Sequence, residues 1–439
     1  MPLLGFGVFA VATNEFVLAG MLPQLRDGLH VSLPTAGQVV TVYALACALL
    51  GPVLATVTAA WSRRLTLLSA AVIYLVGTVG AALAPTFGLL LVAQAVAAGG
   101  TGLFVPVAAA TAAALVPPER RGRAIATVLT GFTAATAFGA PLGTAFGSAF
   151  GWRATMWFVA ALAVVGIAGL VAGVPREIST PPPEGLRSRL VPLADRRVLV
   201  TLLTTMVAFT SVYVLYTYIA EVFEPATGGA GGKVAVLMFT FGAVAIVGSY
   251  AAGVLTDRVG GRVVMALCLV WVLVCMLALP LVTGSFAASI GYVGVLAVAG
   301  FSMSAPQQHR LIGLNPPLAA VLVSLHASIL YLAIALAGGV GGLGVSLGGA
   351  DSLGFVAAAL ALIALGLSEL AHRVAAGQPE TGGDAGAGED AGGDTDTGGD
   401  TDAGAEGPAP VPTPASVPNP SPVRDLRGPA RERAPGDAP

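Results

Sequence analysis

The sequence predicts an all-α, polytopic membrane protein with twelve transmembrane helices in two six-helix halves. Of its 439 residues, 56% are hydrophobic and only 10% are charged, whereas soluble domains carry about 25% charged residues. Twelve stretches reach the roughly 20 apolar residues that a helix needs to cross a bilayer. A polar stretch containing Pro181-Pro182-Pro183 separates the first six stretches from the last six.

The boundaries of the spans follow from the apolar stretches and define four regions. We predict an N-terminal half over residues 1–174, a central linker over 175–197 and a C-terminal half over 198–374. Residues 375–439 are rich in Gly, Asp, Thr and Pro, which predicts a disordered tail because such a segment buries too little apolar surface to fold. The twelve spans are predicted at 3–25, 36–60, 65–84, 87–115, 124–147, 153–174, 198–222, 234–256, 263–283, 286–306, 318–346 and 353–371.

The basic residues predict the orientation of these spans. The loops on one side hold only Arg26, Arg153 and Lys233, and we expect no basic residue inside a span. The positive-inside rule then places both termini and the linker in the cytoplasm of a multi-pass protein of the inner (plasma) membrane. The loops on the other side hold Arg63, Arg64, Arg120, Arg121, Arg123, Arg176, Arg187, Arg189, Arg196, Arg197, Arg258, Arg262, Arg310 and Arg373.

Composition and spacing also argue against several classes of function. A net charge of −2 gives no indication of a nucleic-acid partner. Cys47, Cys268 and Cys275 stand singly in apolar stretches, which is typical of small core residues and not of a disulfide framework or a metal site. The sequence offers no nucleophile–base pair, so we predict no enzymatic activity and no cofactor. We expect a monomer in the lipid bilayer.

Two titratable residues lie deep within predicted spans. Glu15 is in the middle of the first span, where a carboxylate costs about 3 kcal/mol even on lenient insertion scales. We therefore expect Glu15 to carry a proton or a cation in a transport pathway; a buried structural acid is the alternative. His326 in span 11 titrates near neutral pH in water, so it is either a second proton carrier or a hydrogen-bonded interior histidine.

The turn after the eighth span has the pattern G-x-L-x-D-R-x-G-G-R. Its members are Gly253, Asp257, Arg258, Gly260 and Arg262. Glycines allow a tight turn and close helix approach, and Asp257 is placed to cap or pair with charges on a neighbouring helix. This pattern resembles motif A of the major facilitator superfamily, in which it latches the cytoplasmic side. The corresponding first-half stretch, residues 51–64, keeps the arginines but lacks the Asp-Arg pair.

Span 5 carries three glycines four residues apart around a proline. Gly139, Gly143 and Gly147 share one helix face, which lets another helix pack closely, and Pro141 bends or loosens the helix. The run resembles motif C of the drug–proton antiporter families. Generic close packing of a glycine-rich span is the alternative interpretation.

The first span reads Thr13-Asn14-Glu15-Phe16 and continues to Gly20 and Pro23. With Tyr216 and Tyr218 in span 7, it resembles the twelve-span drug–proton antiporter branch, which includes arabinose-efflux-like permeases and actinobacterial chloramphenicol-resistance exporters. The resemblance covers about residues 3–373. It implies alternating access and proton-driven export of a small amphipathic compound, such as chloramphenicol, with Glu15 binding substrate and protons. We add Asn14, Gln94, His326, Tyr216 and Tyr218 as candidate proton- or substrate-binding residues.

One position departs from this resemblance. Gln94 stands in span 4 where motif B of the family has an arginine. Glutamine donates hydrogen bonds but carries no charge with which to influence the ionisation of Glu15. Coupling would then depend on Glu15 alone. A sugar or nucleoside transporter of the same fold, or a membrane receptor without transport, remains an alternative.

Overall fold

A computed structural model describes residues 1–175 and 191–376, and within these ranges the chain forms helices and no strands. The twelve helices that are long and apolar enough to cross a membrane are called α1–α12 below. The central linker mostly lies outside the described residues, and so does the tail beyond Ala376. The helices are α1 Pro2–Gly20, α2 Leu33–Val57, α3 Arg63–Leu83, α4 Phe87–Ala114, α5 Arg121–Phe150, α6 Trp152–Gly173, α7 Arg196–Thr217, α8 Gly231–Val259, α9 Gly261–Leu281, α10 Phe286–Leu314, α11 Ala319–Gly348 and α12 Leu353–Ala376.

The number and order of the spans agree with the sequence prediction, whereas most of the boundaries differ by several residues. Two of these differences change where a notable residue lies. The first span was predicted to reach residue 25, but α1 ends at Gly20 and a separate short helix covers Leu22–Leu29, with Pro23 in its first turn. The tenth span was predicted to end at 306, but α10 continues to Leu314 after a break at residues 301–303. The prediction that no span contains a basic residue is therefore wrong, because Arg310 lies inside α10 and not in a loop.

Several helices begin where a polar side chain satisfies a free backbone N–H group. Ser32, Ser62 and Thr86 each accept a hydrogen bond from the N–H group three residues further on, at the starts of α2, α3 and α4. Asp195 accepts one from the Arg197 N–H group at the start of α7. These caps fix the ends of the spans because the first turn of a helix has no internal partner for its donors.

The two six-helix halves contact each other near one end of the bundle. We call the end with Arg63, Arg121 and Arg258 the arginine-rich end and the opposite end the arginine-poor end. The Thr41 hydroxyl on α2 donates to the Ala335 carbonyl oxygen on α11 at 3.0 Å, near the arginine-poor end. Other contacts between the halves at this end are those of Thr144 with Met238 at 3.3 Å and of Arg26 with Glu221 at 3.6 Å. Within the described residues, no hydrogen bond or ion pair joins the halves at the arginine-rich end.

Helix α1 packs against α5 at three glycines of α5, Gly131, Gly139 and Gly143. A Cβ atom at Gly131 would overlap the Gly5 carbonyl oxygen. Further along α5, α1 leaves no room for a side chain at Gly139, which faces Thr13, or at Gly143, which faces Val17. At Gly147 the space is taken by Thr155 of α6.

A short π-helical segment interrupts α5 at Ala135–Gly139, where the Ala140 N–H group donates to the Ala135 carbonyl oxygen five residues back. Pro141 follows directly. Because proline has no N–H group and its ring clashes with the carbonyl four residues earlier, it disfavours a regular α-turn at this position. The loosening expected at Pro141 thus takes the form of a wider turn just before it.

We expect Gly131→Ala to destabilise the protein, because the added methyl group would overlap backbone atoms of Gly5 and Phe9, which cannot rotate away as a side chain can. Overpacking of this kind costs about 1–3 kcal/mol. Gly122→Ala is the matched control on the same helix, since no atom lies within 4 Å of its added methyl group. Thermal unfolding of both variants in detergent measures the difference. Equal melting temperatures would show that α1 and α5 are not in close contact at Gly131.

Candidate functional site

Glu15 lies on α1 with only 5% of its surface exposed. Neither oxygen of its carboxyl group has a hydrogen-bond partner among the described residues. It lies five residues before the end of α1, so it is closer to the arginine-poor end than the sequence suggested. Five side chains from both halves surround the carboxyl group within electrostatic range: Tyr43 and Cys47 of α2, Tyr213 and Tyr216 of α7, and Tyr331 of α11.

An aromatic cluster adjoins this carboxyl group and is centred on the next residue, Phe16. The Phe16 ring makes edge contacts with Phe132 of its own half at 5.1 Å, and with Tyr216 at 6.1 Å and Phe301 at 6.4 Å from the other half. Tyr216 and Phe301 both contact Phe241, at 5.2 and 5.6 Å. The carboxyl group therefore lies beside a mostly apolar, aromatic surface built by both halves.

Asn14 and Gln94 form a buried amide pair next to Glu15. The Asn14 Nδ2 donates to Gln94 Oε1 at 2.8 Å, and Gln94 Nε2 reaches Met156 Sδ at 3.3 Å. The Asn14 Oδ1 has no partner. Within the described residues, no Lys, Arg or His forms an ion pair with Glu15. Gln94 is thus an uncharged neighbour of Asn14 and contributes no counter-charge to Glu15.

Two other candidates lie away from Glu15. His326 is 1% exposed inside the C-terminal half, where its ring makes an edge contact with Phe209 at 6.5 Å. Neither ring nitrogen has a partner in the described part of the chain. The Tyr218 hydroxyl donates to the Gly338 carbonyl oxygen at 2.8 Å, and its ring packs against Gly37 where α2 crosses α11. Its position is that of a packing residue between the halves.

The motif A turn joins α8 to α9 at the arginine-rich end. Gly260 has φ +85°, a backbone conformation that favours glycine, and a Cβ atom at Gly261 would lie 2.7 Å from the Pro306 carbonyl oxygen. Arg262 pairs with Glu369 of α12 at 2.9 Å. Asp257 is exposed and has no hydrogen-bond or ion-pair partner within the described residues. Its role as a latch stays a prediction.

Three residues that the structure places at important contacts are not among the predicted site residues. Cys47 was interpreted as a core residue but lies near Glu15. Phe301 joins the aromatic cluster, and nothing in its local sequence distinguishes it from other phenylalanines of the spans. Glu369 pairs with both Arg262 and Arg373; an acidic residue two residues before the end of the last predicted span was a usable signal. Among the described residues, no cluster of His, Cys, Asp and Glu could hold a metal ion.

Comparison with known proteins decides the family. The model of the Major Facilitator Superfamily matches residues 4–348. This chain belongs to that superfamily. It is a multi-pass membrane transporter of the major facilitator type, a family that carries small-molecule substrates across the lipid bilayer and consists of transporters and not enzymes.

Individual relatives agree with this assignment. The chain is 30% identical over 384 residues to the inner membrane transport protein YdhP of Escherichia coli K12, covering 86% of this chain and 96% of that protein. It is 33% identical over 259 residues to a chloramphenicol resistance protein of Streptomyces lividans, covering 58% of this chain and 66% of that protein. A bacterial homologue of the human lysosomal transporter Spinster has the same fold, with a TM-score of 0.71, 17% identity, and coverage of 85% of this chain and 96% of that structure.

We expect Gln94→Leu to destabilise this transporter by about 1–3 kcal/mol, because it leaves the buried Asn14 amide without a partner. The double variant Asn14→Leu/Gln94→Leu removes both partners and should recover part of that loss. Thermal unfolding in detergent of the two single variants and the double variant measures the coupling. Additive effects of the two substitutions would mean that the amide pair contributes nothing to stability.

Proposed function

We propose that this transporter exports a small amphipathic compound in exchange for protons. The observation that carries the proposal is the Glu15 carboxyl group, which is buried, has no partner in the described structure and lies between the two halves. A chain under no functional constraint would replace such a group, because an unpaired charge at this depth is costly.

The chemistry of the proposed exchange follows from the missing counter-charge. A buried carboxylate without a cation is unfavourable, so Glu15 is neutralised either by a proton or by a positive or hydrogen-donating group of the substrate. These two occupants exclude each other. When one binds as the other leaves, and the halves rock between the two events, the result is antiport by alternating access.

The surroundings of Glu15 support an amphipathic substrate. The aromatic cluster around Phe16 offers ring faces and edges to an apolar moiety. The Tyr216 hydroxyl is buried and has no partner within the described residues, so it is available to a polar group of the substrate. Chloramphenicol is our first candidate, and the partial similarity to a chloramphenicol resistance protein supports it.

We further propose that the protein acts as a monomer in the inner (plasma) membrane with both termini in the cytoplasm. The distribution of arginines supports this orientation through the positive-inside rule. The arginine-rich end is then cytoplasmic, and the contacts between the halves at the other end correspond to a conformation closed toward the outside.

A drug-susceptibility panel in an efflux-deficient bacterial host tests the proposal. The full chain should raise the inhibitory concentration of chloramphenicol or of another amphipathic compound, and dissipation of the proton gradient should abolish the effect. A panel without any protected compound, together with gradient-driven sugar or nucleoside flux in vesicles, would refute drug export and favour a different substrate in the same fold.

We expect Glu15→Gln to abolish proton-driven export while the protein still reaches the membrane. Glutamine keeps the shape of the side chain but cannot bind and release a proton. His326→Gln is the matched control, since it removes the other deep titratable group, which lies away from the site. Proton release on substrate addition to purified protein distinguishes the two. Full release from the Glu15→Gln protein, with loss of release in His326→Gln, would transfer the role to His326.

A further inference from the structure

Three arginines surround a single carboxylate at the arginine-rich end of the C-terminal half. Arg262, in the first turn of α9, pairs with Glu369 of α12 at 2.9 Å, and Arg373 pairs with the same carboxylate at 3.4 Å. Arg310 of α10 lies within electrostatic range of both Arg262 and Glu369. We call these four residues the basic cluster. Three positive charges and one negative charge give the basic cluster a net charge of +2.

Arg310 is held in place by uncharged acceptors. Its Nη1 donates to the Ser368 Oγ at 3.0 Å and to the Gln307 Oε1 at 3.3 Å, and its Nη2 donates to the Ser368 carbonyl oxygen at 3.1 Å. Among the described residues, no carboxylate forms an ion pair with it. These bonds fix the guanidinium group without cancelling its charge, so its field adds to that of Arg262.

The outer surface of α9 and α12 next to the basic cluster is apolar. The two helices pack against each other, and both are long and apolar enough to cross a membrane. Leu362 and Gly366 lie on the same face of α12 as Glu369. Leu362 is 58% exposed, and Val270 of α9 is 44% exposed. A Cβ atom at Gly366 would meet no atom within 4 Å, so this surface has a gap one turn from the Glu369 carboxylate, open to lipid.

We propose that this surface binds an anionic phospholipid, with the phosphate at Arg262 and Arg373 and an acyl chain along Gly366. The two arginine side chains remain 51% and 75% exposed while they contact Glu369, and a guanidinium group has five donors, so N–H groups are free to bind a phosphate. Charge-assisted bonds from arginine to phosphate are among the strong hydrogen bonds, and basic pockets between membrane helices bind anionic head groups. Binding at this surface requires neither the proton exchange nor the substrate proposed above.

Lipid titration of the delipidated full-length protein in detergent tests the proposal. Phosphatidylglycerol should raise the melting temperature, whereas phosphatidylcholine with the same acyl chains, or inorganic phosphate at the same concentration, should not. Arg262→Gln/Arg373→Gln should weaken phosphatidylglycerol binding about 30-fold, at about fivefold for each arginine. The matched control is Arg121→Gln/Arg123→Gln, which removes two exposed arginines at the same end and should leave binding unchanged. Equal weakening in both double variants, or equal stabilisation by phosphatidylcholine or by inorganic phosphate, would overturn the proposal.

Two further variants distinguish a lipid site from ion pairs that only stabilise the fold. Glu369→Gln removes the acid that competes with the phosphate for both arginines, so it should strengthen phosphatidylglycerol binding. Gly366→Leu fills the gap along which the acyl chain lies and should weaken binding while every charge stays in place. Gly291→Leu on α10 is its control, because a Cβ atom there also meets no atom within 4 Å. Native mass spectrometry counts the lipid molecules that each variant retains. Weaker binding by the Glu369→Gln protein, or equal retention by the two leucine variants, would refute the lipid site.

Discussion

The close approach of α1 to α5 is the constraint on which the rest of this structure depends. Gly131, Gly139 and Gly143 on α5 leave no space between that helix and α1. A side chain on this face would separate the helices and move Glu15 away from the groups of the other half. Without a hydrophobic driving force between helices in lipid, such packing relies on small residues and van der Waals contact. The glycines therefore hold the carboxyl group of Glu15, the candidate proton-binding residue, in position.

The same helix α5 also serves the contact between the halves. The face that meets α8 uses Ala137 and Ser148, opposite glycines of the C-terminal half. Helix α5 is consequently packed between α1, which carries the candidate proton-binding residue, and α8, which ends in the motif A turn. Its π-helical segment lies at the level of both contacts. A movement of α8 along or away from α5 would thus displace atoms close to Glu15. Helix α5 therefore offers a short physical connection between opening or closing of the bundle and binding at Glu15.

The polar groups next to Glu15 among the described residues include no positive charge. Gln94 forms an amide pair with Asn14 and leaves the carboxyl group with no positive neighbour. A charged residue in its place would stabilise the ionised acid permanently. With an uncharged amide, no fixed positive charge among the described residues holds Glu15 in its ionised form. An exchange of substrate for protons requires an acid that is not permanently ionised. Glutamine in place of the family's arginine at position 94 is therefore compatible with the proposed antiport.

Much of this protein was determined by its sequence alone. Length and apolar composition fixed twelve helices, since each stretch must satisfy its backbone polar groups within the bilayer. The glycine spacing predicted a close-packed face on span 5, and the pattern around Asp257 predicted the turn that Gly260 makes with its positive φ. Glu15 was recognisable because a single acid in an apolar span has no local explanation.

Only the tertiary structure decided which of the candidate residues share a site. It brought Tyr216 to Glu15, but placed Tyr218 at a helix crossing and His326 in the interior of the C-terminal half. Tyr216 and Tyr218 are two residues apart but point in very different directions. A helix turns about 100° per residue, and α7 ends at Thr217, between the two tyrosines. The partners of Glu15 come from helices distant in sequence. Packing of helices from both halves brings these partners to Glu15, and no local sequence pattern predicts that packing.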